Sequence, residues 1–231
     1  MFTITGDHLN EILRYPFTGK DWLVKIALQG AVLLILCPFL VGMPLLAGFI
    51  CAHAKRGIDN SMDYPGWNEW GTYWKLGWKA IAVNLVYYLP ILALIGMYVI
   101  VVLIPVLFGV VFESGELAAA AGIIGWVGMV SLYPLMFIYA IFYTAIQMAT
   151  NAKIASGASI NEALQWKSYI WPYIKYNALN LLILYLIAYL ASMVSMVGMF
   201  FLFIGLFFTL PFALALMSYG HGVIYRLSAV K

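Results

Sequence analysis

The sequence predicts an all-α integral membrane protein, a polytopic bundle of tandem in–out–in helical hairpins. Three observations predict it. Of the 231 residues, 65% are hydrophobic and only 9% are charged, with a mean hydropathy of +0.97; a soluble domain carries about 25% charged residues. Four stretches, Ile26–Ala54, Ala80–Phe112, Leu117–Ala152 and Tyr176–Tyr225, have no formal charge, and each exceeds the roughly 20 apolar residues that a crossing helix needs. The twelve Lys and Arg residues fall only in alternate connections. Arg14, Lys20 and Lys25 precede the first run, and Lys55, Arg56, Lys75 and Lys79 bracket the next polar segment. Lys153, Lys167 and Lys175 bracket the third, and Arg226 and Lys231 close the chain. The other connections hold Glu113 and Glu116 or no charge. Positive residues stay on the cytoplasmic side during insertion, so both termini are expected there.

Residues 3–15 place Ile4, Leu9, Ile12 and Leu13 at helical spacing, which predicts a short amphipathic helix on the inner surface. His8 within it is expected to be solvated. No signal-peptide pattern opens the chain, and Met1 is expected to be retained. Residues 1–25 form the inner segment of a single transmembrane domain, 1–231. Residues 26–54 are long for one span and short for two, and Pro38, Gly42 and Pro44 interrupt them. Proline breaks the helical ladder, so a broken or re-entrant hairpin is expected, a single kinked span being the alternative. Residues 55–152 and 153–231 make two further helical units with four full spans. Their outer turns are expected at Glu113–Glu116 and near Gly198.

An internal repeat supports this division. The pair Lys79 and Asn84 recurs as Lys175 and Asn180, and Trp70 recurs as Trp166. Pro44, His53 and Arg56 in the first descending helix match Pro211, His221 and Arg226 in the last. Between the first two units, Trp67, Trp70, Trp74 and Trp78 share one helical face, which predicts an interfacial anchor helix or a docking surface for a partner or headgroup. In the next inner segment Ser159 and Glu162 have capping-box spacing, with Trp166, Tyr169 and Tyr173 following.

Gly48-Phe49, then Arg56-Gly57, then Pro65-x-Trp67-x-x-Trp70, then Gly77 and a long apolar helix resembles an uncharacterised family of prokaryotic multi-pass membrane proteins, known as a domain of unknown function. The resemblance covers roughly residues 10–220. Members often carry acidic residues within the Pro-x-Trp core, where this chain has Gly66 and Asn68. The resemblance implies a multi-pass helical fold in a prokaryotic inner membrane and supplies no activity, substrate or catalytic residue.

Candidate functional residues are few. Gln29, Asn84 and Asn180 are polar residues in or at the ends of spans, joined by Asn177 and Gln147; such groups hydrogen-bond between helices or line a polar path. His53 and His221 could ligate haem or chlorophyll, although no cofactor is expected. Gly122, Gly125 and Gly128, and Ser192, Ser195 and Gly198, recur every third residue, which suits close helix packing or a groove for a lipid tail. Cys37 and Cys51 read as small packing residues. No catalytic motif is present, and no acidic or basic residue interrupts a span, which argues against ion-coupled transport. The expected function is therefore a non-catalytic accessory or scaffold subunit of a larger membrane complex. A small-molecule or lipid transporter, and a haem- or chlorophyll-binding subunit, are the alternatives. Membrane lipids, membrane-protein partners or further copies of the chain are the expected partners, and nucleic acid is not.

Overall fold

The computed structural model describes residues 3–66, 68–111, 115–199 and 206–229. Eight α-helices follow in order among them: α1 (Gly6–Arg14), α2 (Trp22–Ala31), α3 (Gly42–Ile58), α4 (Trp70–Val111), α5 (Gly115–Ala155), α6 (Ile160–Ala163), α7 (Trp171–Met199) and α8 (Leu206–Ala229). No strand occurs among the described residues. Among the described residues, five segments are long and apolar enough to cross a membrane: Trp22–Phe39, Trp70–Phe108, Gly122–Ala155, Trp166–Met193 and Phe207–Ser228. Contacts group the chain into two units, Met1–Asn84 with Ile146–Lys231, and Leu85–Ala145.

The expected break in residues 26–54 is a helical hairpin. Helix α2 widens into a π-turn over Val32–Leu36 and tightens into a 3-10 turn over Cys37–Phe39. Leu40 reverses the chain in the left-handed region, at φ 63°. Gly42 is needed because the chain folds back on itself: a Cβ there would lie 2.5 Å from the Cys37 nitrogen. Pro38 lies in the first positions of the 3-10 turn and Pro44 in the first turn of α3, where a missing N–H costs no helical bond. The break meets its own backbone needs. Leu40 N–H donates to Cys37 O at 2.9 Å and Met43 N–H to Leu40 O at 3.3 Å, as backbone shielded from water requires.

Helix α3 is the hub of its unit, and glycine puts it there. A Cβ built on Gly77 of α4 would lie 1.6 Å from the Pro44 carbonyl oxygen, and one on Gly48 of α3 would lie 1.9 Å from that of Tyr73. These helices touch backbone to backbone. Against α8, Gly57 meets the Tyr219 carbonyl and Gly222 meets that of Ala54, at 2.2 Å and 1.9 Å from the added Cβ. Gly30 of α2 does the same with Phe207. Lipid tails are as apolar as leucine, so close packing of small residues is what holds membrane helices together. Val32, Leu45, Phe49 and Tyr73 fill the adjoining core.

Several expectations change. Helix α1 does not lie alone on a surface. Ile4 and Ile12 are buried, the Ile4 N–H donates to Asn180 Oδ1 at 2.9 Å, and Glu11 pairs with Arg226 of α8 at 3.0 Å. His8 is half-buried and closes the start of α1 through the Thr5 hydroxyl. Trp70, Trp74 and Trp78 form no separate anchor helix; they belong to the first turns of α4. Trp67 lies outside the described residues, as does residues 112–114 of the turn expected at Glu113–Glu116. Helix α7 runs through Gly198 to Met199, and residues 200–205 after it are also outside. The Ser159–Glu162 capping box is present: Glu162 accepts from the Ser159 N–H and hydroxyl at 2.7 and 2.8 Å, which holds its carboxyl below the usual range.

In the second unit, Tyr98 OH donates to Gly125 O at 2.8 Å, and Tyr139 OH donates to Tyr87 O. Gly125 and Gly128 lie beneath Val102 and Tyr98, each 3.1 Å from an added Cβ, while Gly122 meets nothing. An apolar groove of about 170 Å³ follows this seam, lined by Met97, Tyr98, Val101, Ile124 and Leu132 among others.

The glycine contacts yield a direct test. Gly77→Ala is expected to cost about 1–3 kcal/mol by forcing α3 and α4 apart. Gly96→Ala, where an added methyl meets nothing, is expected to be neutral or slightly stabilising. Thermal unfolding of the detergent-purified variants compares the two.

Candidate functional site

The densest polar arrangement lies at the charged end of the first unit, where five segments converge. Tyr15 follows α1, Gln29 lies on α2, His53 on α3, Tyr64 on the connection after α3, and Tyr219 on α8. Tyr15, Gln29, His53, Tyr64 and Tyr219 are all buried. Gln29 Oε1 can only accept. It receives the Tyr64 hydroxyl at 2.6 Å and the His53 Nε2–H at 3.3 Å. With its proton on Nε2, His53 accepts the Tyr15 hydroxyl at Nδ1, at 2.8 Å. Burial pushes the Tyr15 and Tyr64 phenols well above their ordinary range, so both remain donors.

Stacking carries the arrangement on to α8. The Tyr15 ring lies 3.8 Å from Tyr219, nearly parallel at 16°, and 6.0 Å from Tyr64 at 12°. Tyr219 OH donates to Glu11 Oε1 at 2.7 Å. Arg226 grips both oxygens of Glu11, at 3.0 and 3.1 Å, and also bonds Asn60. The result joins α1, α2, α3 and α8. No water-accessible nucleophile or paired carboxylates enter it, and the Gln29 amide nitrogen has no partner.

The sequence candidates distribute as follows. Gln29 and His53 come together. Asn84 lies elsewhere: its amide donates to Asn151 Oδ1 at 3.1 Å and its carbonyl accepts the Thr150 hydroxyl at 3.0 Å, tying α4 to α5. Asn180 holds the chain before α1, and Asn177 accepts from Ser228 of α8 at 2.9 Å. The three expected in-span polar residues thus have three different sets of partners. His53 and His221 do not form a pair of equivalents. Both His53 nitrogens are engaged, whereas both His221 nitrogens are buried without a partner. Trp74 and Trp78 are exposed and in ring contact, and Trp166 stacks on Trp171. No group of three or more metal-ligating side chains occurs among the described residues. Sequence reasoning missed Tyr15, Tyr64, Tyr219 and Glu11. The usable signal was that a buried histidine and glutamine in one apolar hairpin require donors and acceptors from elsewhere.

Helices of this length and composition, packed through glycines and bonded through isolated amides, define a multi-pass α-helical membrane protein. The chain belongs to a family described as a protein of unknown function, DUF4013, which it matches over residues 31–223. No curated protein and no solved structure matches it.

The two histidines are expected to respond in opposite ways to the same replacement. His53→Phe strands the Tyr15 hydroxyl and costs about 1–3 kcal/mol per stranded group. His221→Phe removes two unpartnered nitrogens and is expected to leave stability unchanged or raised. Thermal unfolding in one detergent ranks them.

Proposed function

We propose that this protein is a non-catalytic subunit of a larger membrane assembly, held in a prokaryotic inner membrane with both termini on the cytoplasmic side. The observation that carries this reading is the surface of the Leu85–Ala145 unit. Val99, Ile100, Val101, Leu103, Ile104, Leu107 and Phe108 are all exposed along α4. Consecutive exposed residues lie on different faces of a helix, so α5 covers only the seam along Tyr98 and Val102. Leu85–Val111 makes about 40 Å of helix at about 1.5 Å per residue, longer than the roughly 30 Å apolar core of a bilayer. Neighbouring membrane helices would cover that surface by close van der Waals packing. The polar groups of the first unit also favour a structural role, since Gln29, Asn84 and Asn180 each serve a different junction between segments.

The inside location of both ends rests on the segregated Lys and Arg residues and on the α2–α3 hairpin. The arms are 18 and 17 residues long, about 26 Å each at helical rise, which is at the short end of what a crossing needs. The turn between them is uncharged, and Phe39 and Leu40 are 73% and 67% exposed. A turn of that chemistry suits lipid rather than water. We therefore read the hairpin as re-entrant.

Lipid handling is the second reading, favoured by the apolar groove along Tyr98 and Gly128. A photo-crosslinking residue at Ile100 or Ile138 in native membranes separates the two. The assembly reading expects a discrete protein adduct there, absent when the probe replaces buried Leu216. Lipid adducts alone, with the chain purifying at 25.8 kDa or as a homo-oligomer, would favour lipid handling.

A further inference from the structure

The first turns of α4 divide into two faces. Tyr73, Gly77 and Ala80 are buried, the glycine against α3. On the opposite side Trp74, Lys75, Trp78 and Lys79 are all exposed. The two tryptophans meet edge to face with ring centroids 6.1 Å apart. Lys75 and Lys79 follow the same helical spacing, one turn apart, and like charges so placed repel. Neither lysine forms an ion pair among the described residues; the two salt bridges there are Lys55–Asp59 and Arg226–Glu11. Glu69, exposed just before the helix, is paired with neither.

Two ammonium groups without an ion pair and two exposed indoles therefore share the exposed side of the first turns of α4, where the chain passes from polar to uncharged sequence at Ala80. We propose that Trp74, Lys75, Trp78 and Lys79 form a binding site for the phosphate of an anionic phospholipid. The lysines hold the phosphate and are relieved of their mutual repulsion. The indoles lie at headgroup depth, where amphipathic rings are favoured, and the acyl chains run along the apolar helix. A soluble phosphate would gain nothing from the indoles. The matching place on α7 offers a built-in comparison. Lys175 is exposed there beside Trp171, one turn away, and no second lysine occupies the position that corresponds to Lys75.

Native mass spectrometry of the full chain in detergent tests this, with dioleoyl phosphatidylglycerol and dioleoyl phosphatidylcholine added as separate probes. Wild type is expected to retain the anionic lipid preferentially, and added salt should reduce that preference. Each lysine near an anionic surface contributes about fivefold, so Lys75→Gln with Lys79→Gln should lower retention about thirtyfold. Lys175→Gln should lower it much less, and Lys75→Arg with Lys79→Arg should keep it. Wild type that retains both lipids equally would overturn the proposal without recourse to any variant. So would a folded double-glutamine variant that retains the anionic lipid undiminished, or displacement of the lipid by millimolar inorganic phosphate.

Discussion

The approach of helix backbones at glycine on α3 is the constraint on which the first unit depends. Gly48 and Gly57 lie on different faces of that helix, and each admits the backbone of a different neighbour, α4 at Tyr73 and α8 at Tyr219. Gly77 and Gly222 complete the two contacts from the other side. In lipid no hydrophobic drive separates helix from surroundings, so contact distance decides which helices associate. The same closeness allows His53, only four residues before Gly57, to reach Tyr15 while Tyr219 stacks on that ring. The aromatic and polar arrangement at the charged end is thus a consequence of the glycine contacts.

Its polar groups follow a second rule. An amide or imidazole withdrawn from water needs a partner, and Gln29, His53, Asn84 and Asn180 each find one across a junction between segments. These bonds fix which segments lie together. The Gln29 amide nitrogen, the Tyr173 hydroxyl and both His221 nitrogens depart from the rule, and nothing in the fold explains why position 221 holds a histidine.

Much of the fold was legible in the sequence because its signals are local. Charge segregation and run length marked the membrane helices. Pro38, Gly42 and Pro44 marked the break at 37–44, and Ser159 with Glu162 marked the start of α6. Misread features were those where a local signal met a stronger tertiary or length effect. The Trp-rich segment has no proline between Trp70 and Ala80, and its Gly77 serves the contact with α3 rather than a turn, so it joins α4. The turn expected near Gly198 falls on residues 200–205, outside the described residues. Helix α1 has the amphipathic pattern of a surface helix, yet Glu11 finds Arg226 more than two hundred residues away. Tyr15, Tyr64 and Tyr219 gave no sequence signal, because their roles exist only once α3 and α8 have crossed.

These features describe a membrane protein whose first unit joins its segments through buried polar groups and whose second exposes apolar side chains along α4 and α5. A proposed hairpin whose turn stays within the bilayer is central to this picture, because such a turn returns the chain to its side of entry without a loop on the other side. The most direct measurement is thiol labelling of Leu40→Cys in a chain lacking Cys37 and Cys51, using a membrane-impermeant reagent on intact cells and on inverted vesicles. A re-entrant hairpin predicts no labelling from either side and full labelling after detergent denaturation. Labelling from the outer face of intact cells would show that the hairpin crosses, and would contradict it.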